Sequence, residues 1–98
     1  MYDIRLTKQA KKDAILIERA GMKKKVANLI EVMRENPLKN PPPYEALSGD
    51  RYGSYSRRIN KQHRFVYEVL PNTENIKDEN GKLFDGIIKV IRMWTHYE

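Results

Sequence analysis

Ser54-Tyr55-Ser56-Arg57-Arg58-Ile59-Asn60, followed after Lys61-Gln62-His63 by Arg64-Phe65-Val66-Tyr67-Glu68-Val69-Leu70, decides the fold. Both runs are rich in aromatic and β-branched residues, and the few polar residues between them suit a tight turn, so they pair as a β-hairpin. Side chains alternate across a strand. Tyr55 and Ile59 on the first strand, with Phe65, Tyr67 and Val69 on the second, therefore form the apolar set that belongs on a core. Ser54, Ser56, Arg58 and Asn60, with Arg64 and Glu68, fall on the opposite face. Adjacent strand residues point oppositely, so only one of Arg57 and Arg58 can share the polar side, and parity selects Arg58.

Downstream, residues 86–95 read as a third strand, with Ile87, Ile91 and Met93 as its core set and Arg92, Trp94 and His96 on the other parity. Between them, residues 71–85 are rich in Asn, Asp, Glu, Lys and Gly, the composition of a mobile hairpin loop. Upstream, Pro41-Pro42-Pro43 makes residues 38–43 an extended connector, because proline lacks the amide donor a helix or central strand requires. Residues 45–53 read as irregular. Tyr2, Ile4 and Leu6 alternate with Asp3 and Arg5 as a short N-terminal strand. Thr7 then caps a helix in which Ala10, Asp13, Ala14 and Ile17 fall at helical spacing until Gly21 stops it. Val26, Leu29, Ile30 and Met33 mark a second helix that Pro37 ends. The result is an α+β fold in the order β-α-α-β-β-β, with two helices from the N-terminal half on one face of a mainly antiparallel four-stranded sheet.

The 98 residues suffice for one domain spanning 1–98. With 19 basic and 13 acidic side chains the net charge is 19 − 13 = +6, a balance that attracts polyanions, RNA or DNA first among them. There is no cysteine, which excludes disulfides, thiolate metal sites and a cysteine nucleophile, and only two histidines. Neither a metal nor a cofactor is expected. The first residues lack the apolar run of a signal peptide, and no segment reaches the roughly 18 apolar residues of a membrane span, so the expectation is a cytoplasmic protein.

Cutting RNA without a metal requires a base for the ribose 2′-OH, cations for the phosphorane and an acid for the leaving 5′-oxygen. Glu45, just beyond the prolines, is a candidate base, and partial burial would raise its pKa from about 4.3 toward neutrality. The plainer reading of Glu45 is a solvated surface carboxylate. His96 is the natural acid, anchored by the apolar strand before it. Tyr97 suits stacking on a base, a hydrogen bond near the phosphate, or capping of the core. Arg57, Arg58 and Arg64 gather guanidinium forks that match phosphate oxygens, against the alternative of ion pairs with Glu68 or Asp50. Trp94 reads either as a base-stacking ring or as a core aromatic. Lys23 and Lys24, in the run Lys23-Lys24-Lys25, read either as a solvated helix face or as phosphate contacts on a ribosome. His63, in the hairpin turn, reads as structural.

Leu47-Ser48-Gly49, Gly53-Ser54-Tyr55-Ser56-Arg57-Arg58-Ile59, His63-Arg64-Phe65-Val66-Tyr67 and His96-Tyr97 together resemble the YoeB/Txe group of RelE-like toxins. The resemblance runs through essentially the whole chain. It implies a ribosome-dependent endoribonuclease that cuts mRNA in the decoding site to a 2′,3′-cyclic phosphate, and an antitoxin of the YefM/Axe kind that blocks it. It also implies a monomer or homodimer. Carried over by position, the family's base falls on Glu45, its key arginine on Arg64, its acid on His96 and its terminal tyrosine on Tyr97, with Arg58 as a second arginine. Ala46 stands where relatives usually carry proline, and residues 71–85 are longer than the family's usual loop. Two other readings share these features: a ParE-like toxin that binds DNA gyrase without a nuclease site, and a non-catalytic RNA-binding module.

Overall fold

The computed structural model describes residues 1–49 and 53–94. The elements follow one another as β1 (Tyr2–Leu6), α1 (Lys8–Arg19), α2 (Lys23–Glu35), β2 (Tyr44–Ala46), β3 (Ser54–Arg58), β4 (Arg64–Leu70) and β5 (Gly86–Arg92). The α+β class and the two-helix layer agree with the sequence reading. Among the described residues the sheet has five strands in the order β1-β5-β4-β3-β2, one more than expected. The extra strand is β2, formed by three residues directly after the prolines, too short for any alternation to announce it.

Helix α1 starts where the sequence placed it. The Thr7 side chain accepts a hydrogen bond from the Ala10 amide, and the same hydroxyl donates to the Ile91 carbonyl at 2.7 Å, so one residue caps the helix and ties it to β5. Gly21, at φ 75°, turns the chain between the helices in a conformation that an L side chain resists. Both helices cover one face of the sheet. Ala10, Ile17, Val26 and Met33 meet Phe65, Tyr67, Ile88 and Val90 there in a cluster that is 6% exposed or less at every position. Fully burying an aliphatic or aromatic side chain of this kind contributes about 1.5–3 kcal/mol, and this layer holds the sheet flat against the helices.

One parity assignment changes. Ile88 and Val90, rather than Ile87 and Ile91, lie under the helices, paired with Val69 and Tyr67. The cause is a register shift between Val66 and Tyr67, where β4 advances one residue while β5 advances two, from Arg92 to Val90. Such a bulge reverses side-chain parity on one side of itself. It returns Met93 to the core while leaving Ile87 on the far face beside Leu70. β1 joins β5 in parallel, which no hairpin can produce: the two helices carry the chain to β2 at the far edge, and β3 and β4 lead it back to β5.

Residues 71–85 form a small hairpin with an isolated antiparallel bridge from Lys77 to Leu83. Asn72 organises its base, donating to the Ile76 and Phe84 carbonyls and accepting from the Ile76 amide. Among the described residues no helix is long and apolar enough to cross a membrane.

Candidate functional site

The hairpin register sets the site. Glu45 pairs with Ser56, Ser56 with Val66, and Val66 with Arg92, which places these four side chains in one row on the face turned away from the helices. Arg64 lies on the same face at the start of β4, opposite Arg58. Its Nε donates to the Ser56 hydroxyl at 2.6 Å, and its Nη2 lies 3.3 Å from Glu45 Oε1. A carboxylate, a hydroxyl and a guanidinium from three adjacent strands thus converge. The Arg64 side chain is 19% exposed and largely fixed, whereas that of Glu45 is 69% exposed. The exposure of Glu45 matches the plainer reading of a solvated surface carboxylate; the group that faces it is the Arg64 guanidinium.

The other sequence candidates separate into three groups. Arg57 is internal: it is 1% exposed, on the helix side of the sheet, and so is not available to an RNA phosphate. Its Nη2 donates to the carbonyls of Pro37 (3.0 Å) and Lys39 (2.8 Å), its Nη1 to that of Pro42, and its Nε to the Tyr67 hydroxyl. The pairing of Arg57 with Phe65 across the ladder fixes this orientation. Arg58 is exposed and borders a groove with Lys25, Leu29 and Val32 of α2. Trp94, expected on the polar face, is half-buried against the core edge, with its ring stacked on His63 at 3.8 Å between centroids. Lys23 and Lys24 stay exposed at the start of α2, Lys23 within 4.0 Å of Glu18, and neither joins the Glu45–Arg64 group. His96, Tyr97 and Asp50 lie outside the described residues.

His63 is buried, and its turn is closed by Asn60, whose Oδ1 accepts from the Gln62 and His63 amides. Burial pushes the Tyr67 hydroxyl above its ordinary value of 10.0, with the hydrogen bond from Arg57 acting the other way. The neutral phenol accepts from Arg57 and donates to the Pro37 carbonyl at 2.6 Å.

Asp13 is the residue that sequence reading passed over. It is 1% exposed, and its carboxylate accepts from the Gln9 side chain and from the amides of Met93 and Trp94 at 2.9 and 3.1 Å. A buried carboxylate must be partnered, so an aspartate inside the apolar stripe Ala10, Ala14, Ile17 was itself a signal. Its partners lead directly into the segment that carries His96 and Tyr97. No group of metal-ligating side chains occurs among the described residues.

Two helices packed on one face of a sheet of five strands, among the described residues, is a fold this chain shares with small bacterial toxins. A profile described as "YoeB-like toxin of bacterial type II toxin-antitoxin system" matches residues 6–97, and the chain belongs to that family. The fold is similar to that of a YoeB/ParE toxin from Agrobacterium tumefaciens, at 29% identity and TM-score 0.77, over 97% of this chain and 99% of the other. It is also similar to a toxin chain of the heterotetrameric YoeB–YefM complex from Staphylococcus aureus, at 29% identity and TM-score 0.70, over 99% of both chains. The Staphylococcus aureus YoeB dimer gives 28% identity and TM-score 0.71 over 98% of both. No curated protein matches the chain by sequence.

Proposed function

We propose that this toxin is an endoribonuclease that cleaves mRNA on the ribosome by metal-independent acid and base chemistry, inhibiting translation. The carrying observation is the convergence of Glu45, Ser56 and Arg64 on the face away from the helices. Glu45 takes the proton from the ribose 2′-OH, whose oxygen attacks the adjacent phosphorus. The bond from phosphorus to the 5′-oxygen breaks, His96 gives that oxygen a proton, and a 2′,3′-cyclic phosphate remains. Arg64 stabilises the charge that builds on the phosphorane, with Arg58, its partner across the hairpin ladder, as the second arginine, and Tyr97 positions the nucleotide. A phosphate that draws Arg64 toward itself also frees the Glu45 carboxylate, so substrate binding arms the base. The toxin works in the bacterial cytoplasm as a monomer or homodimer, and a YefM/Axe-like antitoxin covers the site.

The test adds the protein to translating ribosomes bearing a defined mRNA and maps the fragment ends, beside naked mRNA, Glu45→Gln and His96→Gln. Cuts confined to ribosome-bound message, reduced on the order of 10² to 10⁴ in each variant, are expected. A deoxyribose at the cut position abolishes the reaction. Cleavage that survives that change would rule out attack by the 2′-oxygen, and undiminished growth arrest by the His96→Gln protein would point to gyrase.

A further inference from the structure

Glu45 stands in the middle of a strand that is poorly equipped to hold it. Strands usually run about 5–6 residues, whereas β2 has three and, among the described residues, lies at the sheet edge with β3 as its neighbour. The connector before it is no help, since three consecutive prolines donate no amides to any ladder. What fixes that connector comes from the opposite side of the sheet. A single guanidinium, Arg57, holds the carbonyls of Pro37 and Lys39 near its beginning and of Pro42 near its end. Tyr67 holds the Pro37 carbonyl as well, and the Arg57 guanidinium lies 5.2 Å over the ring of Tyr44, the first residue of β2.

We propose that Arg57 is a positioning residue for Glu45: its grip on the 37–42 connector fixes where β2 begins and so keeps the Glu45 carboxylate beside Ser56 and Arg64. The Arg57 side chain lies on the face of the sheet opposite Glu45. Its leverage is that of a buried cation. Desolvating a charge is costly unless its hydrogen bonds are satisfied, and these carbonyls satisfy Arg57 in this arrangement of the connector. Any displacement of the prolines strands the guanidinium, so the connector is held far more rigidly than its own backbone bonding allows. An apolar residue at position 57 could fill the space but would release the connector.

The inference rests on the proposed role of Glu45 as base, and the experiment keeps the two apart. In the full chain, Arg57→Met and the milder Tyr67→Phe are made with Glu45 intact and with Glu45→Gln. The first measurement is amide hydrogen exchange. Both variants are expected to lose protection at Leu47, whose amide donates to the Ser54 carbonyl at 2.9 Å, by a larger factor than the β4 and β5 amides lose theirs. The second is cleavage on ribosomes. Arg57→Met is expected to lower the rate up to about 10²-fold, the scale of a displacement near 1 Å, with unchanged affinity for the ribosome. In the Glu45→Gln background it is expected to cost nothing more, because the group it positions is already gone.

Full protection at Leu47 in both variants overturns the proposal, and so does a loss in the Glu45→Gln background as large as in the parent. Tyr67→Phe, which removes one hydroxyl, keeps the comparison decisive if Arg57→Met does not fold. Absence of cleavage by the parent protein would defeat the nuclease reading, while the exchange data would still decide whether Arg57 holds β2 in place.

Discussion

Arg57 and Arg64 lie on neighbouring strands, and Arg57 pairs with Phe65, the residue directly after Arg64, yet the two guanidiniums face opposite sides of the sheet. Arg57 is bonded to neutral oxygens, three carbonyls and a phenol, in a place that solvent does not reach. Arg64 is bonded to a hydroxyl and to a carboxylate that is mostly in water. The difference lies in what can replace each partner. Backbone carbonyls that are part of the fold cannot be exchanged, so Arg57 is locked, whereas in the proposed reaction an incoming phosphate displaces the exposed carboxylate from Arg64.

The sharpest way to break the comparison is to delete each arginine and measure stability in urea. Arg57→Ala removes a buried hydrogen-bonded cation and leaves its carbonyl partners without donors. A loss of about 3–5 kcal/mol is expected, much of the roughly 5–15 kcal/mol a domain of this size has. Arg64→Ala should cost less than Arg57→Ala on the same urea curve, while cleavage falls on the order of 10² to 10³. Equal losses of stability would mean that burial does not distinguish them.

A second buried charge extends the contrast. Asp13→Asn keeps the shape but leaves one acceptor oxygen where the carboxylate had two, so either the Gln9 side chain or the Met93 and Trp94 amides lose their acceptor, and should cost about 1–3 kcal/mol by thermal or urea unfolding. The Thr7→Ala cap variant should lose about 1 kcal/mol, with the change read as a lower urea midpoint at constant slope. The smallest expected effect is a pH dependence. Burial raises the Tyr67 pKa in the folded state, so the unfolded chain ionises first. This contribution to stability is complete below pH 10 and is lost as pH rises from there through the folded value. Alkaline unfolding curves of the parent and Tyr67→Phe should therefore converge as pH increases past 10, whereas curves that stay parallel would remove the effect.

Much of this was legible in the sequence, and the failures have identifiable causes. The alternation of Tyr55, Arg57 and Ile59 already put Arg57 on the core side, and only its charge argued for the surface. Thr7, Gly21 and Pro37 bounded the helices because each acts within a turn of its own position. The bulge that moves Ile88 and Val90 under the helices depends on pairing between β4 and β5, and no local pattern in either strand encodes it. β2 was hidden for the same reason, since its three residues become a strand only through β3 and the Arg57 clamp. Glu45 and Arg64 were identified by type and position, but their meeting over Ser56 follows from two registers at once.

The position of β5 in the sheet bears on when this molecule becomes dangerous. β5 lies between β1 and β4, yet it is the last of the five strands to be synthesised. Chains emerge N-terminus first, so β1 waits for more than eighty residues of synthesis before its partner exists. Until then Asp13 lacks the Met93 and Trp94 amides, and Thr7 lacks the Ile91 carbonyl. The nascent chain therefore cannot finish its own sheet while those residues remain inside the ribosome that is making it. Topology withholds the toxin's finished sheet until residues 86–94 have left the ribosome.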